Sequence, residues 1–312
     1  MSKKAILFGS DFDDPEPFRA LCAHEFPALD FRVWPEAGRL EDIEYALIWT
    51  IADGALATLP RLKAVLALGA GVDQILKDPA FPIHVPLYRL LDAGLAVQMS
   101  EYAIHGVLDI HRRMADYRRQ QLERKWLRLP ATDPSARKVG VMGLGVLGAH
   151  LAERLAALGF RTLGWSRTAK SLAGIACFHG RVGLAAFLKS CDILIVLLPL
   201  TRETRGIVDA ELLRQLPRGA ALINIARGRH LVDADLLAAL DSGHIARAIL
   251  DVFRDEPLAP GHPFWTHPRV TVTPHIAAQP IAELAMAQIL ANLRRLEAGE
   301  RPTGLVDPAV GY

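Results

Sequence analysis

Gly143-Leu144-Gly145-Val146-Leu147-Gly148 stands between an apolar run that ends at Met142 and a stretch in which Leu147, Leu151, Leu155 and Leu158 recur at helical spacing. Few folds accept three glycines placed this way. The first permits a tight turn off a strand, the second lets a ligand approach bare backbone, and the third lets the helix pack closely on the strand. Strand, turn and helix together predict one βαβ unit of a parallel sheet, with an anionic group at the helix N-terminus. A dinucleotide suits that geometry, and Gly143, Gly145, Val146, Leu147 and Gly148 are its expected contacts.

The same alternation runs along the whole chain, and it reads as a parallel sheet covered by helices. Strands are expected at 5–8, 31–33, 46–49 and 64–68, punctuated by Asp13-Asp14-Pro15, Ala37-Gly38, Asp53-Gly54 and Gly69-Ala70-Gly71. From 97 to 126 the pattern is helical, then polar and basic, closing at Pro130 and Pro134. Further strands are expected at 139–142, 162–165, 193–198, 221–225, 248–250 and 270–273, with helices between and a last helix over 281–297. The tail, 301–312, has no strand to supply in a nucleotide fold. It is therefore expected to rejoin the first domain, which makes that domain discontinuous (1–98 and 281–312) around a dinucleotide-binding domain at 99–280. A ligand would lie in the cleft between them.

The 312 residues are enough for two domains of ordinary size. At 51% hydrophobic and 22% charged the chain is not disordered, and a net charge of +2 argues for neither a nucleic-acid nor a membrane partner. Seven of the seventeen residues 112–128 are basic, yet Asp116 and Glu123 interrupt them, so a solvated helix or a subunit contact is the better reading. The three cysteines, Cys22, Cys177 and Cys191, lack metal-type spacing, which disfavours both a disulfide framework and a metal site. The longest clearly apolar block among the later strands, 193–200, is too short to span a bilayer, and 5–8 is too short for a signal-peptide core. The expected location is the cytoplasm.

Which dinucleotide binds depends on the end of the second nucleotide-domain strand. An acid there accepts from both ribose hydroxyls and repels a 2′-phosphate. Here the strand is followed by Ser166-Arg167-Thr168-Ala169-Lys170, with no acid. Ser166 and Thr168 can donate to phosphate, Arg167 can hold it with paired donors, and Lys170 adds charge. NADP(H) is expected in preference to NAD(H).

Three polar residues each close a later apolar stretch. Asn224-Ile225-Ala226-Arg227-Gly228 offers a guanidinium, whose paired donors suit a planar carboxylate, with Arg229 as a competitor. Glu256 follows the strand ending at Leu250, and His275 follows Thr273-Pro274. An acid on one loop beside a histidine on the next favours the imidazolium needed to protonate a ketone oxygen. A carboxylate clamp, an orienting acid and a proton donor are the parts needed to reduce a 2-keto acid.

With Gly143 to Gly148, Leu198-Pro199-Leu200-Thr201 and Thr204, Asn224 to Gly228, Asp251 to Pro257 and Pro274 to Ala277, the chain resembles the D-isomer-specific 2-hydroxyacid dehydrogenase family over essentially its full length. Gly140-Val141-Met142-Gly143, Trp165-Ser166-Arg167 and the ending Val310-Gly311-Tyr312 look most like its bacterial glyoxylate/hydroxypyruvate reductase A type. The resemblance implies an α/β fold of two doubly wound parallel-sheet domains, a Rossmann nucleotide-binding domain inserted in a flavodoxin-like substrate domain. It implies a catalytic trio of Arg227, Glu256 and His275, and a homodimer whose arm carries Trp126. It places Trp49, the amides of Ala70 and Gly71, Arg227 and His275 at the substrate. It places Leu198, Pro199, Leu200, Thr204, Ile225, Ala226, Asp251 and His275 at the cofactor, with Asp251 near the nicotinamide amide. The implied activity is reduction of glyoxylate to glycolate and of hydroxypyruvate to D-glycerate. A reductase of a bulkier 2-keto acid such as phenylpyruvate, a dehydrogenase of the 3-phosphoglycerate type, and a non-catalytic nucleotide sensor of the same fold are the alternatives.

Overall fold

The computed structural model describes residues 4–308, so the ending Val310-Gly311-Tyr312 lies outside the described residues. The chain divides into two compact units, Met1–Leu95 with Gln279–Tyr312, and Ala96–Ala278. Both are parallel sheets flanked by helices.

The first unit runs β1 (Lys4–Gly9), α1 (Pro15–Glu25), β2 (Leu29–Val33), β3 (Ile43–Ile48), β4 (Ala64–Ala67), α2 (Asp73–Leu76) and β5 (Leu87–Tyr88). The strands lie in the order β2-β1-β3-β4-β5, the flavodoxin-like winding. Helix α1 starts where Asp14 Oδ1 accepts from the Glu16 amide at 3.1 Å and Pro15 fills the first helical position. Strand β3 begins earlier than the apolar pattern suggested because it contains Glu44. That residue is fully buried, but Arg61 and Lys63 neutralise it, Lys63 Nζ at 2.7 Å.

The second unit holds α3 (Leu95–His111), α4 (Met114–Leu122), β6 (Lys138–Met142), α5 (Val146–Ala157), β7 (Arg161–Ser166), β8 (Ala176–His179), α6 (Gly180–Leu188), β9 (Ile193–Val196), α7 (Ala210–Gln215), β10 (Ala220–Asn224), α8 (Asp233–Asp241), β11 (Ile245–Leu250) and β12 (Val270–Val272). The sheet order β12-β11-β10-β9-β6-β7-β8 reverses direction between β9 and β6, a switch point that opens a crevice at the strands' carboxyl ends. Both faces of this sheet are covered. Leu194 and Val196 pack into one apolar cluster with Leu222, and Ile193 and Ile195 into another with Ile223. That two-sided burial is why the strands read as unbroken apolar runs.

Helix α9 (Ala282–Glu297) returns the chain to the first unit. Buried Asn292 then folds the tail back, donating to the Thr303 carbonyl at 2.9 Å and accepting from its amide at 3.0 Å. The tail lies along β5, with Arg89 N donating to Gly304 O and Val306 N to Leu87 O, both at 2.9 Å.

Three expectations need correction. The helical stretch 97–126 is two helices separated at Arg113, whose φ is +57°, and 125–133 has no regular structure. In α5 the buried face is Gly148, Leu151, Ala152 and Leu155, whereas Leu158 is exposed because it caps the helix beyond the sheet. Strands β5 and β8 did not stand out in the sequence: one has two residues, and the other is a half-exposed edge. Among the described residues, no helix is long and apolar enough to cross a membrane.

Candidate active site

The glycine turn follows β6 at the switch point. Gly143 has φ +121°, and a Cβ there would lie 2.4 Å from the Leu197 carbonyl oxygen, so only glycine makes this turn. A Cβ on Gly148 would stand 1.8 Å from the Gly143 oxygen, which makes it the point of close helix–strand contact. Gly145, the N-cap of α5, has nothing within 4 Å of the same position. Two glycines are demanded by the fold, and the third faces open space at a helix N-terminus, where an anionic group approaches backbone amides. These residues fit a dinucleotide pyrophosphate.

Next to the turn, β7 ends at Ser166, one residue past Trp165, which pairs with Met142 of β6. Ser166 Oγ donates to the Thr168 carbonyl at 2.7 Å, so its proton shapes the loop instead of pointing outward. Arg167 and Lys170 are exposed on that loop. Beyond β9, Leu198 is buried, and Thr204 Oγ1 donates to the Pro199 carbonyl at 2.7 Å, which closes the Leu198-Pro199-Leu200 turn. Ile225 and Ala226 beyond β10 are buried as well, and the Ala226 amide and carbonyl are held by Asn224 Oδ1 and Arg227 Nη1.

The remaining polar groups stand past β10, β11 and β12. Asn224, 1% exposed, shapes the first loop by donating to the Arg227 carbonyl at 3.1 Å. A Cβ on Gly228 would lie 1.8 Å from the Phe253 carbonyl carbon, so this glycine lets the Arg227 loop lie directly against the loop that carries Glu256. Arg229 takes no such place. Its side chain is 48% exposed and lies 3.9 Å from Asp255, a surface pair of little energetic consequence.

Glu256 Oε1 accepts from the Phe253 amide at 2.8 Å, and Oε2 is 2.7 Å from His275 Nδ1. Burial works to raise the Glu256 carboxyl, but the bonds from His275 and Phe253, with the charges of His275 and Arg227, win and hold it below its ordinary range. The structure therefore brings Glu256 and His275 into contact, with Arg227 near enough for its charge to act on the carboxylate while its Nη1 donates to the Ala226 carbonyl at 2.8 Å. His275 itself has φ +56°, unusual for a non-glycine residue, and its amide is held by the Asp251 carbonyl at 2.9 Å. Asp251 is fully buried, and its carboxylate accepts from Thr273, Ile276 and Ala277. The sequence had placed Asp251 only near a cofactor, and it gave no reason to single out Thr273 or Gly228.

In the first unit, Gly69 follows β4 by two residues, and a Cβ on it would meet the Trp49 ring at 2.4 Å. The six-membered edge of the indole thus packs against Gly69 at the start of the Gly69-Ala70-Gly71 turn. The Gly69 carbonyl accepts from Leu90 N at 3.1 Å, which fixes the turn on β5's side of the sheet.

Residues 104–277 match the family described as D-isomer specific 2-hydroxyacid dehydrogenase, NAD binding domain. The chain is 44% identical to glyoxylate/hydroxypyruvate reductase A of Yersinia enterocolitica over 98% of this chain and 99% of that protein. It is also 45% identical to the reductase of the same name from Serratia proteamaculans, with the same coverage. Among solved structures, a D-isomer specific 2-hydroxyacid dehydrogenase from Xanthobacter autotrophicus in complex with NADPH and MES superposes with a TM-score of 0.95 at 43% identity, covering 99% of this chain and 100% of the other. An NADPH-dependent glyoxylate/hydroxypyruvate reductase from Sinorhizobium meliloti, bound to NADP and sulfate, gives 0.94 at 37% identity with the same coverage.

Proposed function

Since the chain belongs to the D-isomer-specific 2-hydroxyacid dehydrogenase family and is an NAD(P)-dependent oxidoreductase, we propose that it reduces glyoxylate to glycolate and hydroxypyruvate to D-glycerate, with NADPH as the preferred reductant. The observation that carries this reading is the 2.7 Å contact between His275 Nδ1 and Glu256, with Arg227 close enough for its charge to act on the same carboxylate. NADPH, when bound, supplies hydride to the keto carbon. Arg227 binds the substrate carboxylate through paired donors, and the amides of Ala70 and Gly71, with Trp49, are assigned to the substrate as well. Glu256 engages Nδ1, so Nε2 is the nitrogen that delivers the proton to the keto oxygen. The ionised Glu256 stabilises the imidazolium before transfer and keeps the ring from turning. Asp251 supports the loop that carries His275 and would stand near the nicotinamide amide of the cofactor.

The absence of an acid after β7, with Arg167 and Lys170 in its place, supports NADPH over NADH, and so do the NADPH-bound relatives. Three free cysteines, two of them buried, accord with a cytoplasmic location. Trp126 is 99% exposed, and with Leu122 at the end of α4 and Leu127 beyond it, both also exposed, it forms an arm that supports a homodimer.

The test is NADPH oxidation across a panel of 2-keto acids running from glyoxylate to phenylpyruvate. Glyoxylate and hydroxypyruvate are expected to give the highest kcat/KM, and His275→Ala to lower kcat by about 10²-fold or more with little change in NADPH affinity. Highest efficiency on phenylpyruvate, or near-normal turnover in the variant, would overturn the reading.

A further inference from the structure

The His275 loop is tied to a helix that the proposed chemistry does not use. Thr273 Oγ1 lies 2.7 Å from Asp251 Oδ1 and 2.5 Å from the Tyr102 hydroxyl on α3. A hydroxyl has one proton to give, and a carboxylate accepts. Thr273 therefore donates to Asp251, and Tyr102 donates to Thr273. Burial foremost, with the Asp251 charge behind it, pushes the Tyr102 phenol up to about 12, so it keeps the proton that it donates. Asp251 Oδ1 also accepts from the Ile276 amide and Oδ2 from the Ala277 amide, each at 2.8 Å. The fully buried carboxylate thus grips the loop on both sides of His275, and α3 holds the grip from outside.

His275 needs such a grip. A histidine in the left-handed region is less stable than in the ordinary ones and persists where its surroundings over-determine it. Its amide hydrogen bonds to the Asp251 and Thr273 carbonyls, at 2.9 and 3.1 Å, belong to the same knot. If the loop relaxed to common backbone angles, the imidazole would turn away from Glu256.

We infer that Tyr102 and Thr273 are positioning residues, whose hydrogen-bond chain to Asp251 holds His275 in the left-handed conformation that presents Nδ1 to Glu256. They touch no reacting atom. Their effect is transmitted through the loop, and it depends on their hydroxyls more than on their bulk. The inference rests on the proposed reduction for its kinetic consequence but not for its structural one.

The test uses three variants of the full chain: Thr273→Val, which keeps shape and removes the hydroxyl, Thr273→Ser, which keeps the hydroxyl, and Tyr102→Phe. The first readout is proton and nitrogen NMR of the His275 imidazole, assigned by comparison with His275→Gln. The downfield Nδ1 proton bound to Glu256 is expected in wild type and Thr273→Ser, and it should be broadened or lost in Thr273→Val and weakened in Tyr102→Phe. The second readout is kcat for glyoxylate against pH. Thr273→Val should lose about tenfold or more in kcat and Tyr102→Phe several-fold, both with the alkaline limb moved to lower pH and NADPH KM within about twofold. An unchanged Nδ1 signal in both Thr273→Val and Tyr102→Phe overturns the inference, and so does equal loss in Thr273→Ser and Thr273→Val. A wild type that shows the Nδ1 signal and its loss in these variants, yet reduces no keto acid, would leave the chain of hydrogen bonds standing and remove the proposed function.

Discussion

Glu256 is buried enough that desolvation alone would lift its carboxyl, yet it lies below the ordinary range because His275, the Phe253 amide and Arg227 surround the charged form. A carboxyl with a depressed folded-state value adds stability that is complete above its unfolded value, about pH 4, and is lost as pH falls through the folded one. Glu256→Gln should therefore flatten the acid side of a Tm-against-pH curve, the difference from wild type shrinking below pH ~4. On the alkaline side the imidazolium loses its charged partner, and reduction should fall off at lower pH than in wild type. A variant whose two limbs coincide with those of wild type would show that the 2.7 Å contact is not maintained in solution. Arg167 makes a separate prediction. One or two charge-assisted bonds to a 2′-phosphate correspond to a preference of about ten- to a hundredfold for NADPH. Arg167→Ala should erase most of it, so an unchanged ratio of kcat/KM for the two cofactors would mean that this loop does not read the phosphate. At this scale Arg227, Glu256 and His275 were legible because each closes an apolar strand, where position carries meaning. Tyr102 was not, since its partner Thr273 is 171 residues away and a helical tyrosine announces nothing about what its hydroxyl meets.

The glycine turn gives a sharper test of how an element serves both fold and ligand. Gly148→Ala would press a methyl group into the Gly143 carbonyl at 1.8 Å, backbone that cannot swing aside. A loss of about 1–3 kcal/mol, read as a lower Tm, is expected from such overpacking. Gly145→Ala meets nothing within 4 Å and needs no unusual φ, so its Tm should stay near that of wild type. The added methyl group would instead occupy the space in front of the helix N-terminus, and the KM for NADPH should rise severalfold. If Gly145→Ala lowers Tm as much as Gly148→Ala, or leaves NADPH binding untouched, the assignment of that space to a pyrophosphate fails. The strands that flank this turn were readable as apolar runs because both faces of the sheet are covered. β5 and β8 show no such run: two residues make no pattern, and β8 at the sheet edge has exposed ends and a half-buried middle, with no alternation to read. The charged start of β3 was hidden by Glu44, whose burial depends on Arg61 and Lys63 reaching it from further along the chain.

At the scale of the molecule, the arm formed by α4 and the irregular segment after it carries charged and apolar side chains together on its surface. Its cations are largely matched locally, as in Arg113 and Arg119 with Asp116 at 2.9 Å and Lys125 with Glu123 at 2.7 Å, so its charge is solvated and not gathered into a polyanion-binding face. Its apolar residues Leu122, Trp126 and Leu127 are left over. Sedimentation at micromolar concentration should give twice the chain mass, with Trp126→Ala weakening the association; a monomer would remove the homodimer from the reading. The tail that lies along β5 has a different consequence, one that concerns the order of synthesis. Leu87 and Arg89 pair with residues more than two hundred positions later, and β4 and β5 share their core with Val306. Residues 96–278 leave the ribosome as one unbroken segment with its own sheet and core, and they can fold while translation continues. The first unit has no such freedom. Its five strands all lie in the opening ninety-odd residues, which are made first but wait for the last-made segment, α9 and the tail, before Tyr45 can meet Glu297 and Val306 can complete the core.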